Sequence, residues 1–310
     1  PLKWHENIVN GVSKKNLLKL KEVYFFNGAV YLKGIVNKKL FDVESVVNCC
    51  HGGVGENGDL CSYLNLNGIR CTSANTLASK IAMNKSLCKS VVKDVVPTIK
   101  GVEISKQNFE TLTNEVVKNF SNELIVKPNS LGSSIGVKAC SKENFTEQVQ
   151  AIFELNDTAL VEERITNLVE YNQACFVDDG ELVLSAIEQP LTKSDFLTFE
   201  DKYKNKSKGK GLDRIIPANI SKKLEKQISN YTKKIYLKLN MSGVVRIDYI
   251  FDLSTNQLYF NEINTIPGSL AFYLWEAAGV KYPDLLEEII ACGRKRQREK
   301  EQLKNYLEHT

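Results

Sequence analysis

Four polar residues in the last quarter of the sequence have the spacing of a site built across two strands. Glu262 and Asn264 lie two residues apart in a predicted strand, so their side chains face the same side of it. Arg246 and Asp248 have the same spacing in the preceding strand, and a hairpin would bring the two pairs together. Three oxygen ligands of this kind suit Mg²⁺ bound together with substrate phosphates, and the arginine would counter phosphate charge or a developing oxyanion. The alternative is a solvated sheet face with an ordinary salt bridge.

A loop rich in glycine and serine follows a predicted strand that delivers Lys127. The loop spans residues 129–136 and contains Ser133 and Ser134. Small residues let backbone N–H groups approach phosphate oxygens, and serine hydroxyls add further donors. The segment does not have the G-x-x-x-x-G-K-[ST] pattern of a Walker loop. A loop of this composition can also do no more than turn the chain.

Two further segments have residue types that could contact a nucleotide or another ligand. One predicted strand ends in Glu162 and Glu163, with Glu170 further on, and could offer its backbone to an adenine edge and a carboxylate to a ribose. The glycine-rich segment 51–58 begins at His51 and suits a loop that approaches a ligand. The alternatives are an edge strand with solvated acids and a structural strand-to-helix turn.

The elements around these residues are predicted to be mixed α/β, with antiparallel sheets. The predicted helices are 60–67, 77–89, 142–155, 221–239 and 284–304. The predicted strands are 23–26, 29–33, 45–50, 124–127, 137–139, 159–164, 170–176, 182–187, 244–251 and 258–263. Residues 202–213 read as a lysine- and glycine-rich loop. Lys85 and Lys89 fall in the second helix, where a lysine is ordinarily a surface residue.

The bulk composition is that of an ordinary globular protein of about two domains. The net charge of +4 on 310 residues is too small to indicate nucleic-acid binding. The eight cysteines include no C-x-x-C pair, which favours reduced thiols in a cytosolic protein over a disulfide framework. We find no apolar run of about 18 residues and no signal peptide, so we expect no membrane span.

Six segments, taken in order, resemble motifs of the D-alanine–D-alanine ligase family. The segments are His51-Gly-Gly-Val-Gly-Glu-Asn-Gly58, Met83-Asn-Lys85, Lys127-Pro with Gly132-Ser-Ser-Ile-Gly136, Val161-Glu-Glu163, Asp201-Lys-Tyr203 with Pro217-Ala218, and Arg246-Ile-Asp248 with Asn261-Glu-Ile-Asn-Thr-Ile-Pro-Gly268. The similarity runs from about residue 46 to 290. It implies an ATP-grasp fold, in which two α+β subdomains hold ATP between antiparallel sheets. We therefore predict a partial N-terminal α/β substrate domain (1–73), a central subdomain (74–165) and a C-terminal subdomain with the metal and catalytic site (166–310).

The resemblance also implies a role for each matching residue. Assigned to ATP are Lys85, Lys127, Ser134, Glu162, Glu163, Ile165, Glu170 and Lys202. Assigned to Mg²⁺ (or Mn²⁺) are Asp248, Glu262 and Asn264. Assigned to catalysis are Ser133, Tyr203, Arg246 and the backbone of Gly268. Assigned to the substrate are His51, Ser269 and Tyr273.

The activity that the resemblance implies is ATP-dependent joining of two D-alanines for peptidoglycan precursor synthesis. One carboxylate is activated as an acyl phosphate, and the amine of the second amino acid attacks it. The expected partners are small-molecule amino acids, with no nucleic acid and no membrane, and the family usually forms homodimers. The expected location is the cytoplasm.

The sequence departs from the family pattern in two places. The family begins with a strand, a GGxSxEHE loop and a helix, and this sequence does not show them. Because of this difference, we hypothesise that the chain binds nucleotide but has little ligase activity. The family also has a serine where this chain has Tyr273, at a position that meets the carboxylate of the second substrate. D-lactate, D-serine or another amino acid therefore remains open as the acceptor. A non-catalytic ATP-binding protein is the alternative from a different class.

Overall fold

The computed structural model describes residues 21–132, 135–178, 180–191 and 214–293. The strands in these ranges are β1 (Val23–Phe26), β2 (Ala29–Leu32), β3 (Lys38–Asp42), β4 (Ser45–Val46), β5 (Arg70–Cys71), β6 (Gly101–Ser105), β7 (Glu123–Pro128), β8 (Lys138–Ser141), β9 (Thr158–Glu163), β10 (Leu168–Asp178), β11 (Glu181–Pro190), β12 (Arg214–Ile215), β13 (Val245–Asp252) and β14 (Gln257–Asn264). The helices are α1 (Gly53–Glu56), α2 (Asp59–Leu66), α3 (Thr76–Met83), α4 (Lys85–Val92), α5 (Phe109–Asn119), α6 (Phe145–Ile152), α7 (Lys222–Lys238), α8 (Phe272–Ala277) and α9 (282–293). None of the helices in these ranges is long and apolar enough to cross a membrane.

These strands form four sheets, and the two largest define the architecture. One has the order β6-β9-β7-β8 and the other the order β12-β11-β10-β13-β14, and neighbouring strands in both are antiparallel. Nearer the N-terminus lie an antiparallel sheet of β1, β2 and β3 and a parallel pair of β4 and β5. The prediction of a mixed α/β fold with antiparallel sheets is confirmed.

The predicted hairpin at the start of the described chain is present. Residues Asn27 and Gly28 connect β1 to β2 with φ angles of 45° and 77°. Positive φ at both central positions is what a two-residue turn of this twist requires, and Asn-Gly meets that requirement at low cost.

The largest hydrophobic core packs α7 and the paired helices α3 and α4 against the five-stranded sheet. Ile228 and Ile235 of α7 are fully buried there, and Ala78 of α3 and Cys88 of α4 join them. The four-stranded sheet has its own core with α5 and α6, built around Val116 and other apolar side chains. The chain segment 74–96 therefore packs on the five-stranded sheet, although its Lys89 bonds to Glu162 of the four-stranded sheet.

Helix 77–89 was predicted as one element, and that prediction is wrong. The structure has two helices that meet at Asn84, whose backbone is extended (φ −92°, ψ 100°). The Asn84 side chain accepts a hydrogen bond from the Leu87 N–H, as an N-cap residue does. An N-capping preference outweighs helical periodicity here, so Lys85 begins a helix rather than lying within one.

One other predicted strand is shorter than expected, and two predicted elements lie partly or wholly outside the described residues. The strand predicted at 45–50 is only Ser45–Val46, and the glycine-rich segment after it contains the single turn α1. The last helix is described for residues 282–293, so the rest of the predicted helix 284–304 lies outside the described residues. The predicted loop 202–213 lies outside them as well.

The chain between α4 and β6 ties the two large sheets together. Thr98 forms a parallel bridge with Phe260 of β14, and the Phe260 N–H donates to the Pro97 carbonyl at 2.9 Å. Because this crossing point joins one edge of the five-stranded sheet to the start of the other sheet, it fixes the two sheets at either side of a cleft.

Candidate active site

A cleft of about 1100 Å³, counting the space at its open mouth, separates the two large sheets. Lys127 and Glu162 line it from the four-stranded sheet, and Arg246, Asp248 and Glu262 line it from the five-stranded sheet. The residues that the sequence singled out in two distant segments therefore face one another across a single cavity.

A buried cluster of lysines around one carboxylate forms the first wall. Glu162 of β9 has a side chain that is 1% exposed, and its Oε2 lies 2.5 Å from Nζ of Lys127 on β7. Its Oε1 accepts a hydrogen bond from Lys89 of α4. Lys85, one helical turn before Lys89, donates from Nζ to the Leu131 carbonyl at 2.5 Å. Two ammonium groups thus contact Glu162, and that of Lys85 lies near enough to interact with both Glu162 and Lys127, so positive charge is concentrated at this wall.

The environment shifts the pKa values of this cluster in a consistent direction. Burial lowers the pKa of Lys89 to about 8, although Glu162 opposes the shift. Burial likewise lowers the pKa of Lys85, against the attraction of Glu262. Burial alone would raise the pKa of Glu162, but Lys127 and Lys89 hold it below its ordinary value. The carboxylate is therefore ionised at neutral pH, and the ammonium groups would gain from an added anion such as a phosphate.

Lys89 is a site residue that the sequence reading missed. A lysine at helical spacing reads as a surface residue, but the Lys89 side chain is 7% exposed. The signal that could have found it is its position four residues after Lys85, because residues at that spacing lie on the same helix face.

The second wall is built by the hairpin of β13 and β14. Arg246 pairs in register with Asn264, and Asp248 pairs with Glu262, so the expected convergence of the four side chains is confirmed. Arg246 donates from Nε and Nη2 to the two carboxylate oxygens of Asp248, both at 2.7 Å, and Asn264 donates to Oδ2 of Asp248 at 2.9 Å. The two-pronged contact fixes the guanidinium plane and aims it into the cleft.

The donors on this wall fit a magnesium ion bound together with phosphates. Asp248 and Glu262 supply carboxylates and Asn264 an amide, while no group of three His, Cys, Asp or Glu that could hold a metal occurs in the described part of the chain. A metal here would need ligands from a substrate as well, which is how Mg²⁺ is usually bound. Lys85 Nζ lies 3.8 Å from Glu262 Oε2, so the lysine wall and the carboxylate wall already touch.

The remaining nucleotide candidates lie along the rim of the cleft. Glu163, Ile165 and Glu170 all line it. The Glu163 carboxylate, however, accepts from the Ser121 N–H at 3.0 Å and lies 3.6 Å from Lys100 Nζ. Glu162 and Glu163 therefore serve opposite sides of β9, as successive residues of a strand must.

A second polar cluster lies beside Arg246. Glu188 of β11 is buried and accepts hydrogen bonds from the Asn172 amide at 2.8 Å and from the Tyr273 hydroxyl at 3.2 Å. Arg214 lies 3.3 Å from the other oxygen of Glu188, and its guanidinium sits 4.2 Å from the centre of the Tyr273 ring. The sequence reading missed Glu188 and Arg214, because nothing in their local pattern distinguishes them from ordinary strand residues.

The predicted catalytic turn after β14 has unusual backbone geometry. Gly268 starts a 3-10 turn in which Ser269, Leu270 and Ala271 all have positive φ angles, of 49°, 55° and 54°. Such angles are costly for non-glycine residues and are kept only where the surroundings impose them. This turn directly precedes α8, which carries Tyr273.

Among the other residues assigned from the resemblance, His51 is described and the loop residues of the phosphate end are not. His51 is exposed, although the loop that follows it contacts the end of β14 through the Thr265 hydroxyl, which donates to the Glu56 carbonyl at 3.0 Å. Ser133, Ser134, Lys202 and Tyr203 lie outside the described residues.

Solved structures of known ligases share this architecture. The D-Ala:D-Ser ligase VanG from Enterococcus faecalis superposes with a TM-score of 0.78 at 26% identity, covering 93% of this chain and 84% of that one. The D-alanine–D-alanine ligase from Helicobacter pylori superposes with a TM-score of 0.71 at 27% identity, covering 90% of this chain and 81% of that one. The fold and the two facing walls define an ATP-grasp enzyme of the carboxylate–amine ligase class.

Sequence comparison gives the family. The family model described as the C-terminus of D-ala D-ala ligase matches residues 93–291. The D-alanine–D-alanine ligase of Thermosipho melanesiensis is 33% identical over 288 residues, which is 93% of this chain and 78% of that protein. The chain belongs to the D-alanine–D-alanine ligase family, as its motifs predicted.

Proposed function

We propose that this enzyme joins two D-alanine molecules into D-alanyl-D-alanine, at the expense of ATP, for peptidoglycan precursor synthesis. The proposal rests on the two walls of the cleft, which bring groups for phosphate, metal and carbonyl binding together. The first wall presents Lys85 and Lys127, which suit phosphate oxygens, and the second wall presents Asp248 and Glu262 beside the guanidinium of Arg246. Together these groups provide charge for phosphates, carboxylates for a metal and a cation for the reacting carbonyl in one place.

The proposed reaction requires the chain to stabilise two successive charged states. The carboxylate of the first D-alanine attacks the terminal phosphorus of ATP, and ADP leaves as an acyl phosphate forms. The amine of the second D-alanine then attacks the acyl carbon, and phosphate leaves. Lys85 and Lys127 would hold the phosphates in the first step, and Arg246 with the Gly268 N–H would stabilise the oxyanion of the tetrahedral intermediate in the second.

The metal is part of this proposal. Asp248, Glu262 and Asn264 would hold Mg²⁺ (or Mn²⁺), which when bound would offset phosphate charge. Arg246 would keep Asp248 oriented through its two-pronged contact, and Lys85 would bridge from Glu262 to the nucleotide.

We place the nucleotide base at the rim of the cleft beside the end of β9. Glu162, Glu163 and Ile165 would bind adenine, partly through backbone groups, and Glu170 would bind the ribose. All four line the cleft, which supports this placement. Ser133, Lys202 and Tyr203 would belong to loops that close over the phosphates and the substrate, and Ser134 would bind ATP.

The acceptor is the part of the reaction for which this site favours a second candidate. Tyr273 fills the position where the family pattern has serine, and it is held by Glu188 and covered by Arg214. A phenol fixed between a carboxylate and a guanidinium offers different hydrogen bonds from a serine hydroxyl. Ligation to D-lactate, D-serine or another amino acid is therefore the second candidate, with Ser269 and His51 as further substrate contacts.

The test is phosphate release from ATP with Mg²⁺, measured with and without D-alanine, with the product identified by mass spectrometry. D-alanine-dependent release that yields the dipeptide supports the first candidate. Release that depends on another acceptor, with the matching mixed product, supports the second. If ATP raises the melting temperature but no acceptor in the panel gives turnover, the chain is a non-catalytic ATP-binding protein.

We further propose that the enzyme works as a homodimer in the cytoplasm on small amino acids, and that its chain divides at about residues 73 and 165. The eight cysteines are all free thiols, which supports a reducing compartment. Light scattering on the purified protein measures the assembly, and limited proteolysis locates the boundaries.

A further inference from the structure

Asn129 connects the helix that carries two of the lysines to the strand that carries the third. It follows β7 directly, two residues after Lys127, and is fully buried. Its backbone carbonyl accepts a hydrogen bond from the Lys85 N–H at 3.0 Å, and its own N–H donates to the carbonyl of Thr158, the first residue of β9, at 3.2 Å. One residue thus holds three elements of the lysine wall together through its backbone.

The Asn129 side chain adds three hydrogen bonds to the first turn of α4. Its Oδ1 accepts from the Ser86 N–H at 2.9 Å. Its Nδ2 donates to Asn84 Oδ1 and to the Ser86 hydroxyl oxygen, both at 3.1 Å. The first N–H groups of a helix have no partner within it, so a buried amide that satisfies one of them fixes where the helix begins. Ser86 also bonds to Glu103 of β6, which holds the same turn from the other side.

The position of this turn decides where the ammonium groups lie. Lys85 is the first residue of α4 and Lys89 stands one turn later on the same face, so a shift of the turn moves both relative to Lys127. Ion pairs with Glu162 draw Lys89 and Lys127 together, but they do not set the residue at which α4 begins.

We propose that Asn129 is a positioning residue that sets the spacing of Lys85 and Lys89 from Lys127 for nucleotide phosphate binding. It acts through the helix turn that it holds, since its side chain bonds to Asn84 and Ser86. The inference rests on the proposed function, because it assumes that these lysines bind the phosphates of ATP.

The test compares Asn129→Ala and Asn129→Asp with the wild-type protein. The alanine variant removes all three side-chain hydrogen bonds. The aspartate variant keeps the side-chain volume and the hydrogen bond from the Ser86 N–H, but it places an oxygen opposite Asn84 Oδ1. Because it is the milder change, it tests the proposal if the alanine variant does not fold. Because small displacements of binding groups are costly, we expect kcat/KM for ATP to fall by about 10- to 100-fold in either variant. The loss should lie mainly in KM for ATP, with KM for D-alanine unchanged.

Two control variants separate positioning from general destabilisation. Ile104→Val truncates a fully buried side chain in the same sheet's core, so it should lower the melting temperature and leave KM for ATP unchanged. Asn144→Asp makes the same amide-to-acid change at an exposed turn, where Oδ1 accepts from the Ser141 N–H, and should also leave KM for ATP unchanged.

The dissociation constant for ATP, measured by calorimetry, separates failure of this inference from failure of the proposed function. If the wild type binds ATP but makes no dipeptide, weaker ATP binding by the Asn129 variants still supports positioning. If the folded variants bind ATP as tightly as the wild type, or if Ile104→Val weakens ATP binding equally, positioning by Asn129 is wrong. If the wild type does not bind ATP at all, both proposals are wrong.

Discussion

Removing the charge of Glu162 tests whether the lysine wall is held together by one buried carboxylate. The change Glu162→Gln keeps the shape of the side chain and removes its negative charge. In the wild type that charge is shared by Lys89 and Lys127, and both side chains are less than one-tenth exposed. The variant therefore leaves two buried ammonium groups without their counter-ion, and we expect it to be strongly destabilised.

The magnitude follows from the distances and the burial. At an effective dielectric constant of about 20, opposite charges 2.5 Å apart attract by roughly 7 kcal/mol. Much of that attraction is offset in the wild type by the desolvation of the charged groups, so the pair contributes little net stability. Removal of one partner leaves the other desolvated and unpaired, which typically costs about 3–5 kcal/mol. That loss is a large part of the total stability of about 5–15 kcal/mol expected of a folded domain.

The pH dependence gives the effect a signature. Burial lowers the pKa of Lys89 to about 8 in the folded protein, against an ordinary value of 10.5. Because the pKa of Lys89 is lower in the folded protein than in the unfolded chain, the stability that this group contributes is present above pH 10.5. It is lost as the pH falls through about 8. Loss of Glu162 lowers the pKa of Lys89 further, so its ammonium is neutralised at a lower pH. The stability deficit of the variant should therefore be larger at pH 7 than at pH 9.5.

Urea unfolding at pH 7 and pH 9.5 measures this deficit, with Glu163→Gln as the matched control. Glu163 is the next residue, but its carboxylate is 32% exposed and lies 3.6 Å from Lys100, so its neutralisation should cost less than about 1 kcal/mol. Equal unfolding free energies for Glu162→Gln and the wild type at pH 7 would refute the reasoning. A deficit that grows with pH would do the same.

Three further substitutions test the opposite wall and the substrate end of the cleft. Arg246→Lys cannot make both hydrogen bonds to Asp248, so kcat should fall by about 10²–10³-fold while KM for ATP stays within a few-fold of the wild type. Steady-state kinetics in which only KM for ATP changed would contradict this prediction. Tyr273→Phe removes the hydroxyl bound to Glu188, so KM for the acceptor should change by about 3- to 10-fold while KM for ATP stays the same. If titration with the acceptor gives the wild-type KM, the Tyr273 hydroxyl does not contribute to acceptor binding. Lys85→Met should abolish the rise in melting temperature that ATP causes. It should not lower the melting temperature of the ATP-free protein, because it removes a buried charge. A thermal-shift series measures both temperatures, and a retained response to ATP would contradict the assignment of Lys85 to the phosphates.

Most strands were predictable because their patterns are local. β13 and much of β14 alternate buried and partly buried residues, and the Asn-Gly turn between β1 and β2 has one favourable geometry. The prediction failed where two local preferences compete. Asn84 has the spacing of a helix interior and the side chain of an N-cap, and the contact with Asn129 decides between them.

The sequence by itself determined which side chains share a face, because the period of a strand places Arg246 beside Asp248 and Glu262 beside Asn264. Only the tertiary structure decided that Lys89 is buried against Glu162 and that Glu188 holds Tyr273. Those contacts join residues 73 and 85 positions apart, and they depend on how whole sheets and helices pack. Alternation within one element is a short-range property of the chain, whereas burial of a charge depends on the partner that another element brings to it.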